Sequence, residues 1–177
     1  METYCKLKEL VEDDRFSEKR ANALEQICMS DIDPPIRDII ETFKETPYCF
    51  TIQSCHGHII EQGDGNQVKR IEPESGLPEN GLYQIAYVTL VLENSAPGRE
   101  FYQALSDVSR LDEKFIQWGG AHWFWETQGH CNSYVIQVAP HRFRHLDRFN
   151  MDRTEGRQWL KARALFFKEL RGLLGLG

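Results

Sequence analysis

The run Tyr83-Gln84-Ile85-Ala86-Tyr87-Val88-Thr89-Leu90-Val91-Leu92 constrains the fold more than any other stretch of the chain. Its aromatic and β-branched residues favour an extended backbone. From Ile85 onward it is so nearly continuous in apolar character that both faces need cover, which makes it a central strand. A strand of this kind cannot stand alone, so the rest of the chain must supply neighbours beside it and helices over it. No run approaches the roughly 18 apolar residues of a membrane helix, so the cover is protein.

Before this strand the pattern is mostly helical. Tyr4, Leu7, Leu10 and Val11 recur at helical spacing and predict a first short helix ending near Glu12-Asp13-Asp14. Ser17 reads as the N-cap of a second, with Ala21, Leu24, Ile27 and Cys28 on one face. Asp33-Pro34-Pro35 reads as the start of a third, with Asp33 as its cap and Ile36, Ile39, Ile40 and Phe43 as its apolar stripe. Thr46-Pro47 ends it, because a residue before proline disfavours the helical region.

Strand signals follow. Tyr48–Gln53 is β-rich, and His58–Gln62 with residues 67–71 flank Gly63-Asp64-Gly65-Asn66, a hairpin turn. Residues 72–81 read as an exposed loop. Pro97-Gly98 opens a helix that buries Phe101, Leu105 and Val108, and His122–Thr127 and Ser133–Ala139 read as two strands joined by a hairpin loop. Thr154 caps a long last helix with Trp159, Leu160, Ala164, Phe167, Leu170 and Leu174 on its stripe. The sum is an α+β fold over a single domain, residues 1–177. It has N-terminal helices, a mainly antiparallel mixed sheet with a crossover helix, and a long C-terminal helix. Regular βαβ alternation, a Gly-x-Gly-x-x-Gly turn and a phosphate-loop signature are all absent, so the chain is not a Rossmann or P-loop protein.

Composition narrows the function classes. The chain has 177 residues, 41% hydrophobic with four Trp, which suffices for a real core. Its five cysteines are scattered, with no Cys-x-x-Cys, and the N-terminus lacks a signal-peptide layout; a reduced cytoplasm fits. The net charge of −6 gives no general attraction to nucleic acid or to an anionic membrane. A phosphate-bearing partner needs a local basic patch.

The densest chemistry lies at Ser54, Cys55, His56 and His58, where Gly57 permits a tight bend after a strand. Strand alternation would put Cys55 and Gly57 on one face and Ser54, His56 and His58 on the other. Cys55 with His58 has the Cys-x-x-His spacing of half a zinc site. Cys55 next to an imidazole could be an activated nucleophile. The histidines could instead bind a polar substrate, or the segment could be a small buried Cys beside two strand-end histidines.

A second constellation is His141, Arg142, Arg144, His145 and Arg148. In a helix His141 and His145 would share a face at i, i+4, a two-histidine metal grip. The arginines suit an anion clamp for phosphate or carboxylate, or a solvated face paired with nearby acids. A third is the aromatic run around His122, where His122, Phe124 and Glu126 would share a strand face and His122 could line a pocket.

The segments Ile32-Asp33-Pro34-Pro35-Ile36-Arg37-Asp38-Ile39-Ile40 and Tyr48–Ile59 together resemble the opening of the wybutosine-synthesis tRNA methyltransferase family. That family has an Ile-Asp-x-x-Ile helix start leading to a Tyr/Phe-Thr-Thr-Ser-Ser-Cys-Ser-Gly-Arg strand end. Ile32, Asp33, Ile36, Phe50, Thr51, Ser54, Cys55 and Gly57 match, while His56 stands where the family has Ser and His58 where it has Arg. The resemblance covers roughly residues 30–60. It implies a non-Rossmann fold, S-adenosylmethionine as cofactor, a modified guanine nucleoside or its tRNA as substrate, and Thr51 near the substrate. Two other function classes fit the residues. One is a zinc-binding hydrolase or metal module using Cys55, His58, His141 and His145. The other is a non-catalytic protein that binds a small molecule.

Overall fold

The computed structural model describes residues 4–62, 68–71 and 76–177. The chain is α+β, with every described strand pair antiparallel. The strands divide between two sheets. The larger contains β1 (Tyr4–Cys5), β2 (Cys49–Cys55), β6 (Ala86–Leu92), β7 (Ile116–Ala121) and β8 (Ser133–Val138), in the order β1-β7-β8-β6-β2. The smaller contains β3 (His58–Gln62), β4 (Val68–Ile71), β5 (Asn80–Gln84) and β9 (Arg148–Asp152), in the order β4-β3-β5-β9. The hairpin turn expected at 63–66 lies outside the described residues, as does part of the 72–81 loop.

The apolar run that reads as one strand is split between the sheets. β5 ends at Gln84, Ile85 donates its N–H to the Asp147 carbonyl (3.0 Å), and β6 begins at Ala86. β6 is internal, between β8 and β2. Both β6 and β7 run antiparallel to β8, hence parallel to each other. That requires a crossover, which α3 (Ala96–Ser109) provides with Phe101, Leu105 and Val108 buried.

Alternation along the strands sorts the two faces of the larger sheet. Val88, Leu90 and Leu92 of β6 and Tyr134, Ile136 and Val138 of β8 enter the main core. There they meet Ile36 of the turn Pro34–Ile36 and Ile39, Ile40 and Phe43 of α2 (Arg37–Glu45), the inner face of α3, and α5 (Arg153–Leu173). α5 also spans to the smaller sheet: Trp159 packs edge-on to Tyr83 (5.4 Å) and donates its indole N–H to the Val138 carbonyl (2.8 Å). The opposite face is covered only in patches. α1 (Phe16–Gln26) lays Phe16 over Phe50 and Val91, and α4 (His122–Thr127) lays Phe124 over Ala121 and Val135. No described helix is long and apolar enough to cross a membrane.

Several local expectations give way to tertiary contacts. Residues 4–11 are not a helix. Tyr4–Cys5 pairs with Gly120 and Ala121 as an edge strand, and the Val11 backbone makes two hydrogen bonds with the Asn132 side chain (2.7 and 2.8 Å). Gly119 and Gly120 lie inside β7, where the Tyr4 ring occupies the space of a Gly119 Cβ (2.5 Å). His122–Thr127 is a helix, so its aromatics do not alternate; β-propensity yields to context. α1 begins at Phe16, without a Ser17 cap. Asp152, not Thr154, caps α5 by accepting the Glu155 N–H (2.8 Å). The buried stripe of α5 runs through Trp159, Ala162, Phe166, Phe167 and Leu170, leaving Ala164 exposed.

Candidate functional site

The chain leaves the larger sheet for the smaller at residues 55–58, and the bend sits on Gly57 with φ +84°. A Cβ there would come within 2.8 Å of the Ala86 Cβ and 3.0 Å of the Trp159 ring, so both conformation and space call for glycine. The bend also overrides strand alternation. It brings the Cys55 Sγ and a His58 ring nitrogen to the same place, within 4.8 Å of each other and of an Asp33 carboxylate oxygen.

Asp33 organises this place. Its side chain makes no cap to the helical turn that follows it. Instead Oδ2 accepts the backbone N–H of His56 (2.9 Å) and the Nε2–H of His58 (3.1 Å), and Oδ1 accepts from Arg70 (3.0 Å). Burial by itself would raise the Asp33 pKa. The hydrogen bonds from His58 and the His56 N–H, with the charges of His58 and Arg70, outweigh burial and hold the carboxyl well below its usual range. An ionised carboxylate only accepts, which fixes the His58 proton on Nε2.

The neighbours are equally constrained. The His56 ring stacks on Phe167 (5.2 Å between centroids), and burial, reinforced by the Arg163 charge, lowers its pKa to about 4. His56 is therefore neutral at pH 7. Arg163 donates to the Gly57 carbonyl (2.7 Å) and lies over the Trp159 ring. Cys55 is buried, within reach of the Gly57 N–H (3.4 Å) and the Gln84 amide (3.7 Å), and burial pushes its thiol up to about 11. A thiol this hard to ionise is poorly suited to act as a nucleophile. A cavity of about 320 Å³ opens beside the bend, lined by Asp33, His56, His58, Arg70 and Arg163 with Pro34, Pro35, Ile59 and Ile71.

The remaining candidates lie elsewhere. Ser54 lines a different cavity of about 560 Å³ along edge strand β2, together with Thr51, Gln53, Lys19 and His130. Thr51 is buried there and its hydroxyl donates to the Thr89 carbonyl (3.1 Å). His141–Phe143 is a single 3-10 turn, so the i, i+4 grip of His141 and His145 does not form. Both rings instead accept from the Arg144 guanidinium (3.1 and 3.0 Å). Among the described residues neither belongs to the Asp33–Cys55–His58 group, so the four-residue zinc set is split. Arg142 is salt-bridged to Glu155 and stacks on Phe143 (4.4 Å). Sitting on α4, His122 bonds Glu126 one turn on (2.7 Å) and Lys8 (3.3 Å), away from the bend cavity.

Sequence reasoning overlooked Asp33, Arg70 and Arg163 as site residues. Asp33 before two prolines reads as a helix cap, and nothing local pairs it with residues 23 to 25 positions away. The one available signal was that Asp33 and Cys55-x-Gly57 fall in the same resemblance.

No protein-family model and no curated protein matches the chain. Among solved structures it is similar to the PH1069 protein from Pyrococcus horikoshii, at 10% identity over 92% of each chain with a TM-score of 0.50. A hypothetical protein from Aeropyrum pernix aligns at 13% identity over 81% of this chain and 94% of that one, with a TM-score of 0.39. The likeness to the Pyrococcus protein is one of fold.

Proposed function

We propose that this protein is an S-adenosylmethionine-dependent methyltransferase related to the enzymes of wybutosine synthesis, with its site at the bend between β2 and β3. One observation carries the reading. The two segments of the resemblance, 32–40 and 48–59, are a single unit in space, joined by Asp33 accepting from His56 and His58. A motif split across sequence but closed around one half-buried carboxylate has the character of a prepared site.

The residues around the cavity suit the cofactor's chemistry. Its carboxylate matches Arg70 or Arg163, and its cationic end matches Asp33, which stays ionised at neutral pH. The bound cofactor supplies an electrophilic methyl group. His58, oriented by Asp33, holds or removes a proton at the acceptor, and neutral His56 on Phe167 adds a flat surface. The acceptor is a modified purine nucleoside, reached through local rather than global positive charge, since the chain carries −6. Five cysteines outside any disulfide among the described residues suit a cytoplasmic setting.

In a thermal-shift titration of the metal-free protein, S-adenosylmethionine should raise Tm, by the equivalent of about 2.7 kcal/mol at a hundredfold excess over Kd. Asp33→Asn should abolish the rise. No shift at millimolar cofactor would sink the reading. One observation favours a second reading, a zinc site: Asp33, Cys55 and His58 can each offer a ligand atom within 4.8 Å of the others. Stoichiometric zinc in the purified protein, lost in Cys55→Ala/His58→Ala, would establish that reading in place of the first.

A further inference from the structure

We propose that a separate cavity, on the open face of the larger sheet, binds the phosphorylated unit of a nucleotide. This cavity, of about 480 Å³, is not the one at the bend, and the inference holds whether or not the bend transfers methyl groups. The volume lies in the range of small-molecule sites. It exists because α1 and α4 cover only the ends of this sheet face, leaving the outward side chains of β6 and β8 between them.

Its lining is segregated. The floor and far edge offer the amides of Gln53 on β2 and Gln84 on β5 and the Tyr87 hydroxyl of β6, with Thr89 and Gln137 buried behind them. Amides donate and accept side by side, as the edge of a nucleobase requires, and tyrosine rings offer flat apolar faces. The near wall is one loop and the start of β9, and it brings Arg144, His145 and Arg148 into the lining, three basic side chains against the single carboxylate of Asp147. A ligand with a hydrogen-bonding ring at one end and an anion at the other matches both halves.

The basic wall is prepared rather than neutralised. Arg142 and Arg153, close in sequence, are committed to Glu155 and Glu79. Among the described residues no carboxylate pairs with Arg144 or Arg148, and the Arg144 guanidinium rests between two imidazoles. Gln137, 3% exposed, ties this loop to the sheet by donating to the Arg144 carbonyl (2.8 Å) and to Gln117 (3.0 Å). A guanidinium held in place without a carboxylate partner retains its capacity for a phosphate. Three residues of the anion clamp expected at His141–Arg148 enter this proposal, namely Arg144, His145 and Arg148.

The test is calorimetric titration of the purified protein with the four nucleoside 5′-monophosphates, their nucleosides and inorganic phosphate. At least one monophosphate should bind with Kd below about 1 mM. Arg144→Gln/Arg148→Gln should weaken it roughly tenfold, the loss of a charge-assisted contact. The matching nucleoside should bind more weakly and be unaffected by that variant. Asp33→Asn, at the other cavity, should leave the titration unchanged. A short single-stranded RNA then distinguishes sources: tighter variant-sensitive binding than the free monophosphate means the unit belongs to RNA, weaker binding means a free nucleotide. The proposal is overturned if no monophosphate binds, if the double variant binds equally well, or if inorganic phosphate binds as tightly as the best nucleotide.

Discussion

The segments 54–58 and 141–148 each carry two histidines and finish in opposite surroundings. In the first, His56 and His58 are fixed by groups from three other elements: Asp33 ahead of α2, and Phe167 and Arg163 on α5, with Trp159 and Ala86 closing in on Gly57. In the second, His141 and His145 are exposed and bonded mainly to a sequence neighbour, Arg144. Half-buried in the first case, the two histidines hold one geometry, and burial lowers the pKa of His56. Solvated in the second, the side chains form the rim of a cavity whose floor comes from the sheet. A site of the first kind resists substitution of its frame, while one of the second kind tolerates it and responds to ligand and salt.

The comparison breaks most visibly at glycine. Gly57→Ala should destabilise the fold by about 2–4 kcal/mol, because strain at positive φ adds to a clash with Ala86 and Trp159. Gly129, also at positive φ but with open space around it, should cost only about 1 kcal/mol on the same change. Urea denaturation measures both, and equal losses would mean the bend is not tightly packed.

The next effect concerns the partners of the two segments. Asp33→Ala strands the His56 N–H and the His58 ring and should cost about 2–3 kcal/mol. Arg144→Gln, at a half-buried position on the loop with no carboxylate partner among the described residues, should stay within about 0.5 kcal/mol. Similar values from chemical denaturation would erase the contrast between a framed and an unframed segment.

The smallest effect is in pH dependence. His56 titrates below its ordinary 6.5 in the folded chain, so it stabilises above that pH, and the contribution is lost as pH falls from 6.5 towards about 4. The Asp33 carboxyl is depressed too, so its contribution is present above the ordinary 3.8 and is lost only at lower pH. In a series of melting curves, His56→Gln should flatten the Tm slope between pH 6.5 and 4 and leave the steeper fall at lower pH. An unchanged slope would show that His56 is not desolvated.

Much of this was legible along the chain. The stripe of α2, the buried face of α3, the strand character of 83–92 and the glycine bend at 57 all follow from periodicity or backbone freedom, which are local properties. The Asp33 carboxylate was legible only as a cap, because its actual partners are 23 and 25 residues ahead. Tyr4–Val11 read as helix because its apolar spacing fits one. A helix there would have to forgo the edge of β7 and the clamp of Asn132 on Val11.

Sequence alone therefore determined the class of fold, the internal strand, the crossover and the place of the bend, since hydrophobic period and glycine conformation act over a few residues. Tertiary structure decided which reactive side chains meet. It joined Asp33 to His56 and His58, turned Ser54 toward a different cavity, and carried Arg144 and Arg148 to the open sheet face. Those pairings are set by how two sheets share one long helix, and no local pattern encodes a distance across that packing.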